Sequence, residues 1–343
     1  MAHISTSCLK ISNNKRKRLL AAFLGVNIMD KVIELIKNAK SAVILPHINA
    51  DADAVASCQA MRCALEYLNI PSVIYAEETI EKRLDFISEG VLVYDGEIVD
   101  FDTCIVLDCG DTERTGKRCE LLEKADTVIN IDHHQTNKGF GDASLVVGDA
   151  SATGEVLFDV FSRMEIPLTC ELARYLYTAI CSDTGGFAFS NVSPKTFRVA
   201  AELIGCDIDH AEISRLLFNC VDMDEELLKA ELLNTVRSYS DGKIRTVTLT
   251  KSLAERFGIE IGQIDGIVDI PRRIRGTEVA VAIKEGNKGI RVSLRSNGDV
   301  DVSSIALAIG GGGHKKAAGC TVYGASCDEA EKIVVCALQE VVK

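Results

Sequence analysis

Residues 127–134 have the sequence TVINIDHH, a short apolar run that ends in one acidic and two imidazole side chains. Such a run is typical of a parallel β-strand that is buried on both faces. The segments 42–45 (AVIL) and 103–107 (TCIVL) have the same form, and an amphipathic helical pattern follows the first of them at 54–68. This alternation of strands and helices predicts a doubly wound, mostly parallel α/β sheet.

The same patterns divide the rest of the chain. Helical periodicity dominates from about 151 to 240, and after Asp241-Gly242 the pattern changes to that of strands. The further predicted strands are 72–75, 244–250, 278–284 and 289–294, and the further predicted helices are 32–39, 222–229, 302–309 and 328–341. We therefore predict a flexible extension (1–28), a catalytic α/β domain (29–212), a helical linker (213–241) and a smaller α/β domain (242–343), with a cleft between the two domains.

Composition excludes several classes of protein. With 343 residues and 47% hydrophobic content the chain is long enough for two cores. No apolar run approaches the roughly 20 residues that cross a bilayer, so we expect no membrane association. The net charge of -12 argues against binding long nucleic acid. The basic run 15–18 and apolar run 19–24 resemble part of a signal peptide, but they are short and we prefer a flexible extension.

The 13 cysteines are odd in number and scattered through apolar segments. Cys58, Cys104 and Cys181 are examples, and no paired C-x-x-C spacing is present. They are typical of small buried side chains in a reducing compartment. We therefore expect a cytoplasmic protein.

Acidic and imidazole side chains follow the predicted strands where each strand ends. They are His47, Asp51 and Asp53 after the first, Asp108 and Asp111 after the second, and Asp132, His133 and His134 after the third; Asp183 ends a helical pattern. Taken singly, each acid is most simply a helix cap or turn residue. Open α/β sheets, however, place their ligands beyond the carboxyl ends of strands, and clustered carboxylates repel unless cations offset them. The recurrence favours a site for two divalent ions.

The ordered segments 47–53 (HINADAD), 108–111 (DCGD), 132–134 (DHH) and 183–185 (DTG) resemble the motifs of the Asp-His-His (DHH) phosphoesterase superfamily. The segments 292–296 (VSLRS) and 310–319 (GGGGHKKAAG) resemble its associated C-terminal domain. Ala52 departs from the glycine that many members have between the two acids. Ala52 leaves both carboxylates in place and changes only the freedom of the loop.

This resemblance implies the ligands of two Mn²⁺ ions, with Mg²⁺ or another divalent ion as the alternative. His47, Asp51 and Asp108 would hold one ion, while Asp53, Asp108, His133 and Asp183 would hold the other. Asp108 would bridge the ions and, with Asp132 and His134, take part in catalysis. His134 would contact the phosphate, and Asp132 would orient an imidazole.

Substrate contacts are predicted in both domains. Four consecutive glycines allow backbone N–H groups to approach an anion closely. A flexible turn between a helix and a strand is the preferred explanation of the run taken alone, but the adjacent basic residues and Arg295 favour a binding role. Arg114 is either a phosphate ligand or a member of a surface ion pair. The predicted substrate-binding residues are Arg114, Arg295, Gly311, Gly312, Gly313, His314 and Lys315.

The resemblance implies a nanoRNase-like phosphodiesterase. It would hydrolyse short oligoribonucleotides or linear dinucleotides to mononucleotides and also remove the 3′-phosphate of 3′-phosphoadenosine 5′-phosphate. The alternatives are a pyrophosphatase or cyclic-dinucleotide phosphodiesterase of the same superfamily, a long-strand exonuclease, and a nucleotide-binding regulator without activity. The sequence leaves open whether the chain forms a homodimer.

Overall fold

The computed structural model describes residues 27–264 and 266–342. Two compact units divide between Cys220 and Val221, inside the segment predicted as a linker. Of the predicted extension, residues 1–26 lie outside the described part, and Asn27 caps the first helix. Within the described ranges, no helix combines the length and the apolar character that a membrane span requires.

The first unit contains a six-stranded sheet in which every neighbouring pair is parallel. Its strands are β1 (Ala42–Leu45), β2 (Ser72–Ala76), β3 (Val91–Val93), β4 (Thr103–Leu107), β5 (Thr127–Asp132) and β6 (Ala143–Val146), in the order β3-β2-β1-β4-β5-β6. The predicted fold class is confirmed. Because the strand order reverses between β1 and β4, a crevice is expected beyond the carboxyl ends of these two strands.

Helices bury one face of this sheet in the main core. The core joins Ile44, Leu107 and Ile131 of the strands to apolar side chains of the helices, and a smaller cluster around Leu45 and Leu121 covers the other face. The helices are α1 (Ile28–Asn38), α2 (Ala52–Tyr67), α3 (Cys119–Lys124), α4 (Thr153–Arg163), α5 (Cys170–Asp183), α6 (Pro194–Ile204) and α7 (His210–Phe218), with 3₁₀ turns at Lys82–Ile87 and Glu113–Arg118.

The second unit is smaller and has a mixed six-stranded sheet. Its elements are α8 (Met223–Asn234), β7 (Arg237–Tyr239), β8 (Ile244–Leu249), α9 (Lys251–Arg256), α10 (Asp269–Arg272), β9 (Val279–Glu285), β10 (Ile290–Ser296), α11 (Val302–Ala308), β11 (Gly312–His314), β12 (Ala317–Val322) and α12 (Cys327–Gln339), with 3₁₀ turns at Ser240–Gly242 and Ile261–Gln263. The strand order is β11-β12-β10-β9-β8-β7, and only β8 and β9 are parallel.

Several local predictions differ from the structure. Helices dominate 151–240 as predicted, but the end of this range also contains a strand, β7, at Arg237–Tyr239. Thr250, predicted as a strand residue, is instead the N-cap of α9 and accepts a hydrogen bond from the backbone of Leu253. The glycine-rich run is not merely a turn, since part of it forms the edge strand β11. Strands of three residues carry too little periodicity to be recognised from sequence.

Candidate metal centre

Three parallel strands deliver the predicted ligands to one edge of the first sheet. The loop after β1 carries His47 and Asp51, β4 is followed at once by Asp108, and β5 ends at Asp132 just before His133. Asp108 has a φ of 54°, a left-handed conformation that Asp adopts more readily than most residues. The crevice expected from the strand order is therefore lined by acids and imidazoles.

One group of three ligands consists of His47, Asp51 and Asp108. The His47 Nε2 atom lies 3.8 Å from Asp51 Oδ2 and 3.6 Å from Asp108 Oδ2. The other ring nitrogen, Nδ1, lies 2.6 Å from the carbonyl oxygen of Ile48. Because a carbonyl only accepts, Nδ1 carries the proton in this contact and Nε2 is free to bind a cation.

Asp51 has a second role as the N-cap of α2. Its Oδ1 atom accepts a hydrogen bond of 3.1 Å from the backbone of Ala54, so Asp51 is the N-cap. The alternative that Asp53 caps this helix is wrong, since Asp53 lies inside the first turn and is 1% exposed. The cap role of Asp51 uses Oδ1 and leaves Oδ2 directed at His47.

A second group surrounds His133. Its Nε2 atom lies 3.5 Å from Asp183 Oδ2, 3.6 Å from Asp108 Oδ1 and 4.0 Å from Asp53 Oδ2. Its Nδ1 atom lies 3.2 Å from the carbonyl oxygen of Ala150, which orients the ring as Ile48 orients His47. Asp108 thus presents Oδ2 to the first group and Oδ1 to the second, the arrangement that a bridging carboxylate requires.

The N-terminus of α4 holds the two buried carboxylates in place. Asp53 accepts hydrogen bonds from the backbone N–H groups of Thr153 (2.8 Å) and Gly154 (3.2 Å) and from the Ser57 hydroxyl (2.9 Å). The Thr153 hydroxyl donates to Asp108 Oδ1 over 2.9 Å. A helix N-terminus favours negative charge, so α4 stabilises both carboxylates.

Asp132 is fully buried and organises the imidazole that follows it. Its Oδ1 atom accepts from His134 Nδ1 over 2.7 Å and from the backbone N–H of His133 over 2.8 Å. Its Oδ2 atom accepts from the Asn137 amide over 2.6 Å. With Nδ1 engaged in this way, His134 has only Nε2 left for any other group.

The six predicted metal ligands together form what we call the cage, and its negative charges are poorly balanced without cations. The cage consists of His47, Asp51, Asp53, Asp108, His133 and Asp183. Burial, together with the charge of Asp51, raises the pKa of Asp108 to about 6. Burial and the neighbouring carboxylates of Asp108 and Asp183 raise the pKa of Asp53 well above its ordinary value. Burial also raises the pKa of Asp183. These carboxyl groups would ionise at lower pH if a cation offset their repulsion.

The imidazoles respond to the same carboxylates. Burial is the largest single influence on the pKa of His47 and lowers it, but the Asp51 carboxylate, the Ile48 carbonyl and the charge of Asp108 together outweigh burial, so the pKa is raised. The hydrogen bond with Asp132 raises the pKa of His134 to about 9, against the effect of burial. Burial is the largest influence on the pKa of Asp132 and raises it, but the hydrogen bonds from His134 and Asn137 and the charge of His134 together hold the pKa below its ordinary value.

The donor set fits divalent cations. Three overlapping groups have all their candidate ligand atoms within 4.8 Å of one another: His47, Asp51 and Asp108; Asp53, His133 and Asp183; and Asp108, His133 and His134. Carboxylate oxygen mixed with imidazole nitrogen suits first-row divalent ions, and no thiolate belongs to any of the three groups.

The other predicted site residues belong to none of these three ligand groups. Asp111 closes a turn by accepting from the backbone N–H of Arg114 over 2.9 Å, as its simpler interpretation predicted. Arg114 is near enough to His134 to lower its pKa. In the second unit Arg295 lies on β10 opposite Ala317 of β12. Gly312, Gly313 and His314 form β11, with Gly311 and Lys315 on either side.

Sequence reasoning missed Thr153 and Asn137. Both are buried, and each donates a hydrogen bond to a carboxylate that is predicted to be catalytic: Thr153 to Asp108 and Asn137 to Asp132. Asn137 lies five residues beyond Asp132, and its polarity within 132–137 (DHHQTN) is a weak local signal. Thr153 is 45 residues from Asp108, so only the fold brings the two together.

Comparisons with known proteins find matches to both units of the chain. A family model described as DHH family, N-terminal domain, matches residues 41–180, and one described as the DHHA1 domain matches residues 246–342. The bifunctional oligoribonuclease and PAP phosphatase NrnA of Thermus thermophilus is 32% identical, with 91% of this chain and 94% of that protein covered. The protein of the same name from Bacillus subtilis is 27% identical, with 89% and 96% covered.

Comparison with solved structures also finds a protein of similar fold. An exopolyphosphatase-related protein from Bacteroides fragilis has a TM-score of 0.83 and 25% sequence identity, with 91% of this chain and 96% of that chain covered. These matches extend over both units.

Proposed function

We propose that this chain, which belongs to the DHH family, is a two-metal phosphodiesterase. It would hydrolyse very short oligoribonucleotides and linear dinucleotides to mononucleotides. The names of the Thermus thermophilus and Bacillus subtilis relatives support this substrate class. The observation that carries the proposal is the position of Asp108, whose two oxygens face two separate histidine and aspartate groups.

The cage residues would hold two divalent ions. We propose that His47, Asp51 and Asp108 hold one, and that Asp53, Asp108, His133 and Asp183 hold the other. Such ions supply a deprotonated water and offset the charge that develops on the phosphoryl oxygens. We propose Mn²⁺ because the donors mix imidazole with carboxylate, whereas Mg²⁺ prefers oxygen ligands alone.

The protein side chains have separate tasks in this proposal. Thr153 and Asp132 keep Asp108 and His134 in fixed orientations through the hydrogen bonds described above. We propose that His134 Nε2 contacts the scissile phosphate and that Arg114 binds a neighbouring oxygen. Gly311, Gly312 and Gly313, whose lack of side chains permits close approach, would bind the nucleotide end in the second unit together with Arg295, His314 and Lys315.

We also propose a second activity, removal of the 3′-phosphate from 3′-phosphoadenosine 5′-phosphate. The names of both relatives include PAP phosphatase, which favours this second activity. We further propose that the protein works in the cytoplasm, since the twelve cysteines that the structure describes are all free. A homodimer stays a prediction.

Three substrates assayed in parallel test the proposal. Purified protein with Mn²⁺ is given a linear dinucleotide, 3′-phosphoadenosine 5′-phosphate or pyrophosphate, and products are separated by chromatography. We expect mononucleotides from the dinucleotide and little phosphate from pyrophosphate. Preferential hydrolysis of pyrophosphate would instead identify the protein as a pyrophosphatase. His133→Ala protein, which lacks a ligand, is the matched inactive control.

A further inference from the structure

The second unit contains a pocket that the metal chemistry does not use. Its volume is about 380 Å³, within the range of small-molecule sites. Strands β10 and β12 form its floor, Gly310 and Gly311 lie at one side, and Arg291 and Tyr323 also line it. The pocket therefore adjoins the glycine-rich run but extends beyond it along the sheet.

The register of the sheet shows which residues share the face of the floor. Ser293 of β10 pairs with Gly319 of β12, and Arg291 pairs with Thr321. On the other side Ser293 pairs with Ala282 of β9, so it shares a face with that residue. On this face, apolar side chains of α8, α9 and α10 pack on β8 and β9.

The opposite face of the same strands is filled. Val292 and Leu294 of β10 and Cys320 of β12 pack in the core with Ile305 of α11 and Val334 of α12. The alternation along β10 thus separates buried apolar residues from Arg291 and Ser293, which are exposed and partly exposed. Small side chains at 293 and 319 leave room for a planar group over the floor.

Two side chains at the pocket are suited to a nucleotide. Arg291 is exposed and makes neither an ion pair nor a side-chain hydrogen bond with any other residue that the structure describes. An arginine in this state is available for a phosphate, which it binds through two parallel N–H groups. Tyr323 lines the pocket and is 73% exposed, so its ring is accessible for stacking on a base.

We propose that this pocket is a second nucleotide subsite, in which Tyr323 stacks on a base and Arg291 binds the terminal 5′-phosphate of a dinucleotide. The inference rests on the proposed function and deepens it. One nucleotide would lie at the glycine-rich run, and this pocket would hold the nucleotide next to it. The subsite gives a physical reason for preferring dinucleotides to substrates with a single nucleoside.

Equilibrium binding of a fluorescent 5′-phosphorylated dinucleotide to the metal-free full-length protein tests the subsite without turnover. Arg291→Gln and Tyr323→Ala should each weaken binding about 10-fold, as expected for a charge-assisted hydrogen bond and a base stack. Tyr323→Phe keeps the ring and should bind like the wild type. Lys332→Gln, which removes a charge from α12 on the opposite face, is the matched control.

The phosphate assignment is tested by changing the substrate. A dinucleotide without its 5′-phosphate should bind the wild type about 10-fold more weakly, and Arg291→Gln should cause no further loss. Unchanged binding by Arg291→Gln and Tyr323→Ala, or equal losses with and without the phosphate, would overturn the proposal.

Steady-state kinetics separate this inference from the proposed function. With metal, the two variants should raise KM for the dinucleotide and leave kcat, and the kinetics with 3′-phosphoadenosine 5′-phosphate, within about twofold. Absence of dinucleotide cleavage by the wild type would reject the proposed function, while the binding measurements would still decide the subsite.

Discussion

Asp108 shows how a single residue can be recognised from sequence and yet be explained only by structure. Its place after an apolar run predicts the end of a parallel strand. Neither the left-handed φ nor the hydroxyl of Thr153 that fixes Oδ1 could be predicted, because both depend on how β4 and α4 meet. The sequence predicts Asp108 as a metal ligand, and the fold determines how its carboxylate is oriented.

Thr153 offers a residue-level prediction. Thr153→Val keeps the shape of the side chain but removes the hydroxyl that donates to Asp108, whereas Thr153→Ser keeps the hydroxyl. Groups that orient metal ligands typically contribute 10- to 100-fold in affinity, so we expect Val to weaken Mn²⁺ binding about 10-fold or more and Ser to change it little. Calorimetric titration of metal-free protein measures both. Equal affinities of the two variants would show that this hydrogen bond does not organise the cage.

Asn137 is a second residue whose role the sequence does not reveal. Its amide donates to Asp132 Oδ2, and its loss would leave that buried oxygen unpaired. We expect Asn137→Ala to lower the free energy of unfolding by about 1–3 kcal/mol. Denaturant titration measures the change. The control is Asn191→Ala, which removes a partly exposed amide that binds only backbone carbonyls; an equal, small loss in both variants would argue against the role of Asn137.

At the level of elements, long apolar strands and amphipathic helices were predictable and very short strands were not. β1 and β4 are buried throughout and β5 is buried after its first residue, and their mainly apolar composition is typical of parallel strands covered on both faces. β3 and β11 have three residues each, and their backbone hydrogen bonds with β2 and β12 decide their conformation. The glycines of β11 carry no side-chain pattern at all.

The hairpin of β11 and β12 allows steric and ligand-binding roles of glycine to be separated. A Cβ atom on Gly311 would lie 2.1 Å from the carbonyl oxygen of Gly319, whereas one on Gly312 would have nothing within 4 Å. Gly311→Ala should therefore destabilise the protein by about 1–3 kcal/mol, and Gly312→Ala should leave its melting temperature unchanged.

Activity then tests what Gly312 does. If its backbone approaches the nucleotide as proposed, Gly312→Ala should raise KM for the dinucleotide without affecting stability. Thermal melts and steady-state kinetics on the two variants give both quantities. A Gly312→Ala protein with normal KM would indicate that this glycine has no part in binding.

For the whole molecule, the cage links metal binding to stability and pH. The pKa of Asp108 is raised to about 6 in the folded protein, above its unfolded value. Without metal, the folded state therefore keeps a proton that the unfolded state releases, and this group lowers stability as pH rises through that interval. A divalent ion takes the place of the proton, and its stabilising effect should grow over the same interval.

We accordingly expect Mn²⁺ to raise the melting temperature more at about pH 7 than at about pH 5, because protons compete for the ligands at the lower pH. Parallel samples with a chelator at each pH provide the reference. The same increase at both values, or a larger one at the lower pH, would contradict the electrostatic description of the cage.

We propose that two ions, bridged by Asp108, make the chain a dinucleotide phosphodiesterase. The decisive measurement is stepwise addition of Mn²⁺ to metal-free protein, with bound metal and dinucleotide cleavage followed in the same samples. We expect mononucleotide formation to reach its full rate as the second ion per chain binds, and we expect Asp108→Asn protein to fail to reach that rate. Full cleavage without metal, or no cleavage when two ions are bound, would contradict it.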